Sequence, residues 1–176
     1  MRTPIPLSRR PFDIALIVFF AINLGFTTYV VSLEQIVIAD PFHYVPPIWP
    51  PEALLKLVHW WEQSFDPLLL ARPAWYRATI WMDCLLFGPF YAVAMYAFAK
   101  GREWIRIPSV IWGSLMVANV FIICFDELFG EHATPHPGTV IGANASWFLM
   151  PFVVGWRVLG TPHPFTQEST AERTGP

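Results

Sequence analysis

The chain has 176 residues, 55% of them hydrophobic and 14% charged, with a formal net charge of −2. That length suits one domain, and the charge offers nothing to a nucleic-acid partner. So little polar chain cannot cover a soluble core of this hydrophobicity, and the composition points to a polytopic helical membrane protein.

In chain order, the first long apolar stretch is Phe12 to Leu33, interrupted by Asp13 and Asn23. It exceeds a signal-peptide core, and no small-residue cleavage site follows, so it reads as a membrane span. The link from Glu34 to Arg77 is more than a loop. Its segment PFHYVPPIWPP (Pro41 to Pro51) is too proline-rich for helix. PEALLKLVHWWEQSF (Pro51 to Phe65) predicts a short amphipathic helix, opened by proline and with Glu52 in its first turn. His59, Trp60 and Trp61 suit a membrane interface. DPLLLARPAWYR (Asp66 to Arg77) follows, apolar with turn signals. The second span is Ala78 to Ala99 and holds Asp83; the third is Ile107 to Phe125 and holds Asn119; the fourth is Val140 to Leu159 and holds Asn144 and Arg157. GEHATPHPG (Gly130 to Gly138) is the turn between the last two.

The expected fold class is therefore all-α: a four-transmembrane-helix bundle over residues 1–165, with a short amphipathic segment in the first non-cytoplasmic link. The polar residues 166–176 read as a disordered cytoplasmic tail. Arg2, Arg9, Arg10, Lys100, Arg102, Arg106, Arg157 and Arg173 fall on one side of these spans, and only Lys56, Arg72 and Arg77 on the other. By the positive-inside rule both termini are cytoplasmic. The membrane is that of the endoplasmic reticulum in a eukaryote or the inner membrane in a bacterium. Cys84 and Cys124 both lie within spans and read as small packing residues.

An acid at the centre of a span costs about 3 kcal/mol on insertion scales, so Asp83 needs a purpose. It lies about 9 Å below the non-cytoplasmic surface, counted from Arg77 at the helical rise. On the same side, Glu34 ends span one, Asp126 and Glu127 end span three, and Asn144 and Trp147 share a face of span four. Asn23, Thr27 and Glu34 fall near one stripe of span one; Asn119 and Asp126 share a face of span three. A buried polar cavity in the non-cytoplasmic half accommodates all of them. The competing reading places Glu34, Asp126 and Glu127 among headgroups and makes Asn144 a helix–helix contact. The sequon at Asn144 to Ser146 lies inside a span, which rules out glycosylation.

The run DPLLLARPAWYRATIWMDCLLFGPFYAVAMYAFAKGREWIRIP (Asp66 to Pro108) resembles the EXPERA-domain family, which includes the sigma-two receptor and the emopamil-binding sterol isomerase. NASWFLMP (Asn144 to Pro151) is similar to the last span of the isomerase branch. The resemblance implies four transmembrane helices with a ligand cavity in the luminal half, and a homodimer. It implies that Glu34 and Asp83 face each other in that cavity, that Asp66 is structural, and that Asn144 and Trp147 line the cavity. One departure stands out: the isomerases pair a histidine with an acid one turn later, whereas Val30 precedes Glu34 by one turn and span one has no histidine.

Two functions fit. A binder would hold a sterol-like, terpenoid or cationic amphiphilic ligand between paired carboxyls and aromatic walls. An enzyme would use Glu34 and Asp83, which cannot both ionise cheaply in a dry site, to isomerise a sterol double bond or cyclise a terpenoid. In either case Trp81, Phe87, Tyr91 and Trp147 offer π faces, and Asn23, Asn119, Asp126 and Asn144 offer polar contacts. No cofactor or metal is expected. The DELFGEHATPH segment carries His132 and His136, but Pro135 breaks the helix that would align them, and His43, His59 and His163 join no cluster. The partners are a lipid or sterol-like small molecule and the membrane lipids.

Overall fold

In the computed structural model, which describes residues 2–168, Pro11 occupies the first turn of helix α1 (Pro11–Val37). A proline there sacrifices no hydrogen bond, because the first helical N–H groups have no internal partner. The amphipathic link helix is α2 (Glu52–Ser64), with Lys56 and Glu52 paired at 2.7 Å one turn apart. A single turn follows, α3 (Pro67–Ala71). The remaining long helices are α4 (Ala74–Lys100), α5 (Glu103–Phe129) and α6 (Pro137–Leu159). Helices α1, α4, α5 and α6 are each long and apolar enough to cross a membrane. The chain is a multi-pass integral membrane protein of the all-α class. The link folds over one end of the bundle, as the amphipathic pattern predicts.

Two of these helices widen where the site forms. Residues Asn23–Ser32 of α1 and Asp83–Phe87 of α4 are wound as π-helix. In α4 the cause is local: Pro89 has no N–H to donate and its ring pushes away the carbonyl one turn earlier, so the ladder opens over the preceding residues. Gly88 lets the two widened segments touch. A β-carbon there would sit 2.8 Å from Thr28 Cγ2. At the far end of α4, Gly101 takes the left-handed conformation at φ 63° and closes the helix, with the Arg102 N–H returning to Ala97 O at 2.8 Å.

The bundle is packed unequally along its length. Its half nearer the termini is filled by an aromatic cluster centred on the fully buried Phe20, whose ring meets those of Phe90, Tyr91, Phe98 and Trp112 at centroid separations of 5.7 to 6.0 Å. The terminal end itself is clasped by ions. Asp13, wholly buried, accepts from Arg10 and from Arg157 (Nε at 2.6 Å), and both guanidiniums lie over the Phe165 ring. Strands β1 (Arg2–Pro4) and β2 (Thr166–Glu168) then pair antiparallel, so the first and last described residues lie at one end of the bundle. Residues 166–168 thus have a strand partner where the sequence reading placed a disordered tail. The docked Phe165 and the Glu103 carboxylate, which accepts from Phe165 N–H and the Thr166 hydroxyl, hold them there. The remainder of that tail, 169–176, lies outside the described residues.

Candidate functional site

The half of the bundle nearer the link is hollow. A cavity of about 360 Å³ lies between α1, α4, α5 and α6, and α2 roofs it with Leu57, Val58, Trp60 and Trp61. Its rim includes the exposed side chains of Phe26, Leu57 and Trp60.

Asp83 sits in its wall where the two widened helices meet. Its carboxylate accepts from Ser32 Oγ at 2.7 Å and from Thr28 Oγ1 at 3.3 Å. Ser32 and Thr28 are one turn apart on α1, and both are buried. An in-span acid therefore has neutral hydroxyl donors and no cation as partners. Phe87 and Tyr91, on the same helix, also line the cavity. The Tyr91 hydroxyl is buried with no partner in hydrogen-bond geometry among the described residues.

The floor is closed by Trp147, whose Nε1 donates to Asn23 Oδ1 at 2.5 Å; the Asn23 amide in turn donates to Phe19 O at 2.8 Å. Asn23 is buried below the cavity, does not line it, and meets it through Trp147 and through Thr27, whose Oγ1 reaches Asn23 Oδ1 at 3.4 Å. Asn119 and Asn144 are half-buried in the walls. Asn144 Nδ2 donates to Val140 O at 3.0 Å and reaches Glu127 Oε2 at 3.4 Å.

At the upper wall Asp66 caps α3, its Oδ1 accepting from Leu69 N–H at 2.9 Å, while its side chain also borders the cavity. Burial pushes the Asp66 carboxyl above its ordinary value of 3.8, against the opposing pull of that N–H.

Besides Asn23, three sequence expectations take different positions. Glu34 does not meet Asp83. It is fully buried beside the cavity in a separate ion network, accepting from Arg72 Nη2 at 2.9 and 3.2 Å and bonded to His59 Nε2 at 2.9 Å. The reason is electrostatic: a guanidinium compensates a buried carboxylate far better than a second carboxylate does. Trp81 is half exposed on the outer face of α4, away from the cavity, because the turn it occupies points its ring outward. Asp126 also faces away and pairs with His132 Nδ1 at 2.9 Å, and its neighbour Glu127 lines the cavity instead. Asn119 and Asp126, seven residues apart, do lie within about 20° of each other on α5, but of the two only Asn119 reaches the cavity wall, and Glu127, a 100° turn further on, is buried against it.

The Glu34 network also takes in residues whose role the sequence hid. Arg72 Nη2 donates to Glu62 Oε2 at 2.9 Å, and its Nη1 to Ile38 O at 2.7 Å. Donor atoms of Glu34, His59 and Glu62 lie within 4.8 Å of one another, so His59 does join a cluster. Arg72 supplies the positive charge at its centre. Burial pushes the Glu62 carboxyl above its ordinary value of 4.5, opposed by the Arg72 charge. Arg72 holds a left-handed backbone, φ 50°, ψ 52°. Such a conformation persists in a non-glycine residue only when its surroundings over-determine it, and four bonded partners do so here. The His59/Glu62 spacing of i, i+3 on α2 was a readable signal. Ser32 and Thr28 carried none, since small hydroxyl residues in spans are also common packing residues.

The four apolar helices, the Asp-Pro cap and the in-span acid now stand in one arrangement. The model of the EBP family, described as EXPERA (EXPanded EBP superfamily), matches residues 53–158. The chain belongs to the EXPERA family. Relatives are named sigma intracellular receptor 2. The Xenopus tropicalis protein is 30% identical over 140 residues, covering 73% of this chain and 81% of that one. The Macaca fascicularis protein is 25% identical over 173 residues, covering 90% and 93%. The Homo sapiens protein is 28% identical over 127 residues, covering 64% and 72%. This EXPERA chain keeps the buried acids of its link-side half in two separate groups, one in the cavity wall and one bound to Arg72.

Proposed function

We propose that this protein binds a sterol-like, terpenoid or cationic amphiphilic molecule in the cavity, with Asp83 as the polar anchor. The observation that carries this reading is the lining. Apolar and aromatic walls meet three carboxyls, Asp66, Asp83 and Glu127, and no Lys, Arg or His borders the space among the described residues. A cation entering such a water-poor site gains more from each carboxylate than it would in water. Phe87, Tyr91 and Trp147 offer π faces to the same charge. The volume lies in the range of small-molecule sites, and the roof of α2 explains how an apolar body is kept from water. The names of its EXPERA relatives support a receptor-type role over a catalytic one. The engagement of Glu34 by Arg72 and His59 breaks up the Glu34–Asp83 pair on which the isomerisation or cyclisation reading rests, and so favours binding. The eight-to-three distribution of basic residues favours cytoplasmic termini and a cavity on the opposite side of the membrane.

The test is mass spectrometry of lipids that co-purify with wild type and with Asp83→Asn. A sterol-like, terpenoid or amine lipid retained by wild type and lost from the variant is the expected result. Identical lipids on both proteins would remove Asp83 from the ligand and overturn the reading. A retained lipid that is returned with a moved double bond on incubation would convert it to catalysis.

A further inference from the structure

The three cavity carboxyls differ in how far the protein satisfies them. Asp83 has two hydroxyl donors, and Asp66 has a backbone N–H. Glu127 is 2% exposed, yet its one hydrogen bond among the described residues is the long 3.4 Å approach of the Asn144 amide. A buried carboxylate left so poorly paired costs several kcal/mol in proportion to its isolation, and the cavity it borders is where a partner would come from. Two further buried polar atoms of the cavity lining, Gln35 Oε1 and Tyr91 Oη, have no partner within hydrogen-bond geometry among the described residues. They lie on different walls, on α1 and α4, and so do Asp83 and Glu127, on α4 and α5.

The anchors are also separated in depth. Both helix ends at the link, the start of α4 and the end of α5, lie on one side of the membrane. Counting the helical rise from Ala74 and from Phe129 puts Asp83 about 14 Å and Glu127 about 3 Å from the link-side ends of their own helices. Between them the lining includes the apolar Ile80 and Ile123, with Thr79 beside them.

We infer that Glu127, with Asn144, is a second polar anchor, and that the ligand carries a cationic or hydrogen-bond-donating group at each of two ends of an apolar body. This rests on the binding reading above and specifies the ligand's chemistry. The deep end meets Asp83 beside Tyr91; the shallow end meets Glu127 and Asn144 beneath the α2 roof. A ligand with one polar end leaves one carboxylate unpaired and binds more weakly for it.

The experiment compares octylamine with octamethylenediamine, which carries a second ammonium at the far end of the same eight-carbon chain. Affinities are measured for the full chain in lipid nanodiscs, by tryptophan fluorescence, on wild type, Glu127→Gln, Glu127→Asp and Asp83→Asn. Wild type is expected to bind the diamine about tenfold tighter than the monoamine, the scale of one charge-assisted hydrogen bond. Glu127→Gln is expected to lose most of that preference, and Glu127→Asp, which keeps the charge should the glutamine variant misfold, to retain part of it. Asp83→Asn weakens both amines. Equal wild-type affinities, or a preference that survives Glu127→Gln, overturn the second anchor while leaving the binding reading intact if Asp83→Asn still weakens octylamine. If neither amine binds wild type, the binding reading fails and the inference fails with it.

Discussion

Arg72 Nη2 donates to both carboxylate oxygens of Glu34, at 2.9 and 3.2 Å, across 38 positions of sequence. The same nitrogen donates to Glu62 at 2.9 Å, and all three residues are buried. One guanidinium therefore joins the end of the first span, the link helix that roofs the cavity, and the turn that leads into the second span. The cavity is roofed through this joint, and none of its three residues lines it.

Removing that guanidinium strands two buried carboxylates. Arg72→Met is expected to destabilise the protein by about 3–5 kcal/mol, the usual cost of breaking a buried pair from one side. Thermal unfolding of the detergent-solubilised variant checks this. A midpoint equal to wild type would mean that water reaches Glu34 and Glu62 more freely than their burial indicates.

The pH dependence of stability follows from Glu62. Its carboxyl sits above its ordinary value of 4.5 because burial disfavours the anion. The folded state thus holds that proton more tightly than the unfolded chain does. Its contribution is complete below 4.5 and is lost as pH rises through the folded-state value. Asp66, raised from 3.8 for the same reason, acts in the same direction. The unfolding midpoint should fall as pH is raised from the carboxyl range toward neutrality, and the fall should be shallower in Glu62→Gln. An identical slope in that variant would assign the effect to other groups.

Gly88 sets the distance between the two widened helices. Its replacement by alanine puts a β-carbon 2.8 Å from Thr28 Cγ2, and a β-branched side chain has little freedom to yield. The expected cost is about 1–3 kcal/mol of overpacking, together with weakened ligand binding as Ser32 and Thr28 are pushed off Asp83. Thr28→Ser removes the offending methyl. The double variant should recover stability beyond the sum of the single changes, which a double-mutant cycle measures. Additive single effects would show that the clash lies elsewhere.

Asp66 and Asp83 should separate in their phenotypes. Asp66→Ala loses the acceptor for the Leu69 N–H and should lower stability by about 1 kcal/mol, as helix caps do, whereas Asp66→Asn keeps an acceptor and should be milder. Asp83→Asn should leave the unfolding midpoint near wild type and lose ligand. A stable Asp66→Ala protein without ligand binding would exchange the two roles.

Much of this architecture was legible in the residues themselves. Long apolar runs can satisfy their backbone in a bilayer only as helices, so four such runs dictated four spans. The proline and tryptophan pattern of 51–65 dictated an amphipathic roof, and the DPLLLARPAW and in-span acid motifs pointed to the EXPERA family. Partners were a different matter. That Asp83 meets Ser32 and Thr28, that Glu34 turns to Arg72, and that Glu127 rather than Asp126 borders the cavity depended on helix phase. Each residue advances the phase by 100°, and the two π-wound segments shift it further, so a count along the chain misplaces a face within a few turns. Composition and periodicity determined which segments enter the membrane, because burial in lipid depends on local polarity. Which carboxyl finds a cation and which faces an open cavity was decided by the tertiary structure, because charge compensation depends on distances between residues far apart in the chain.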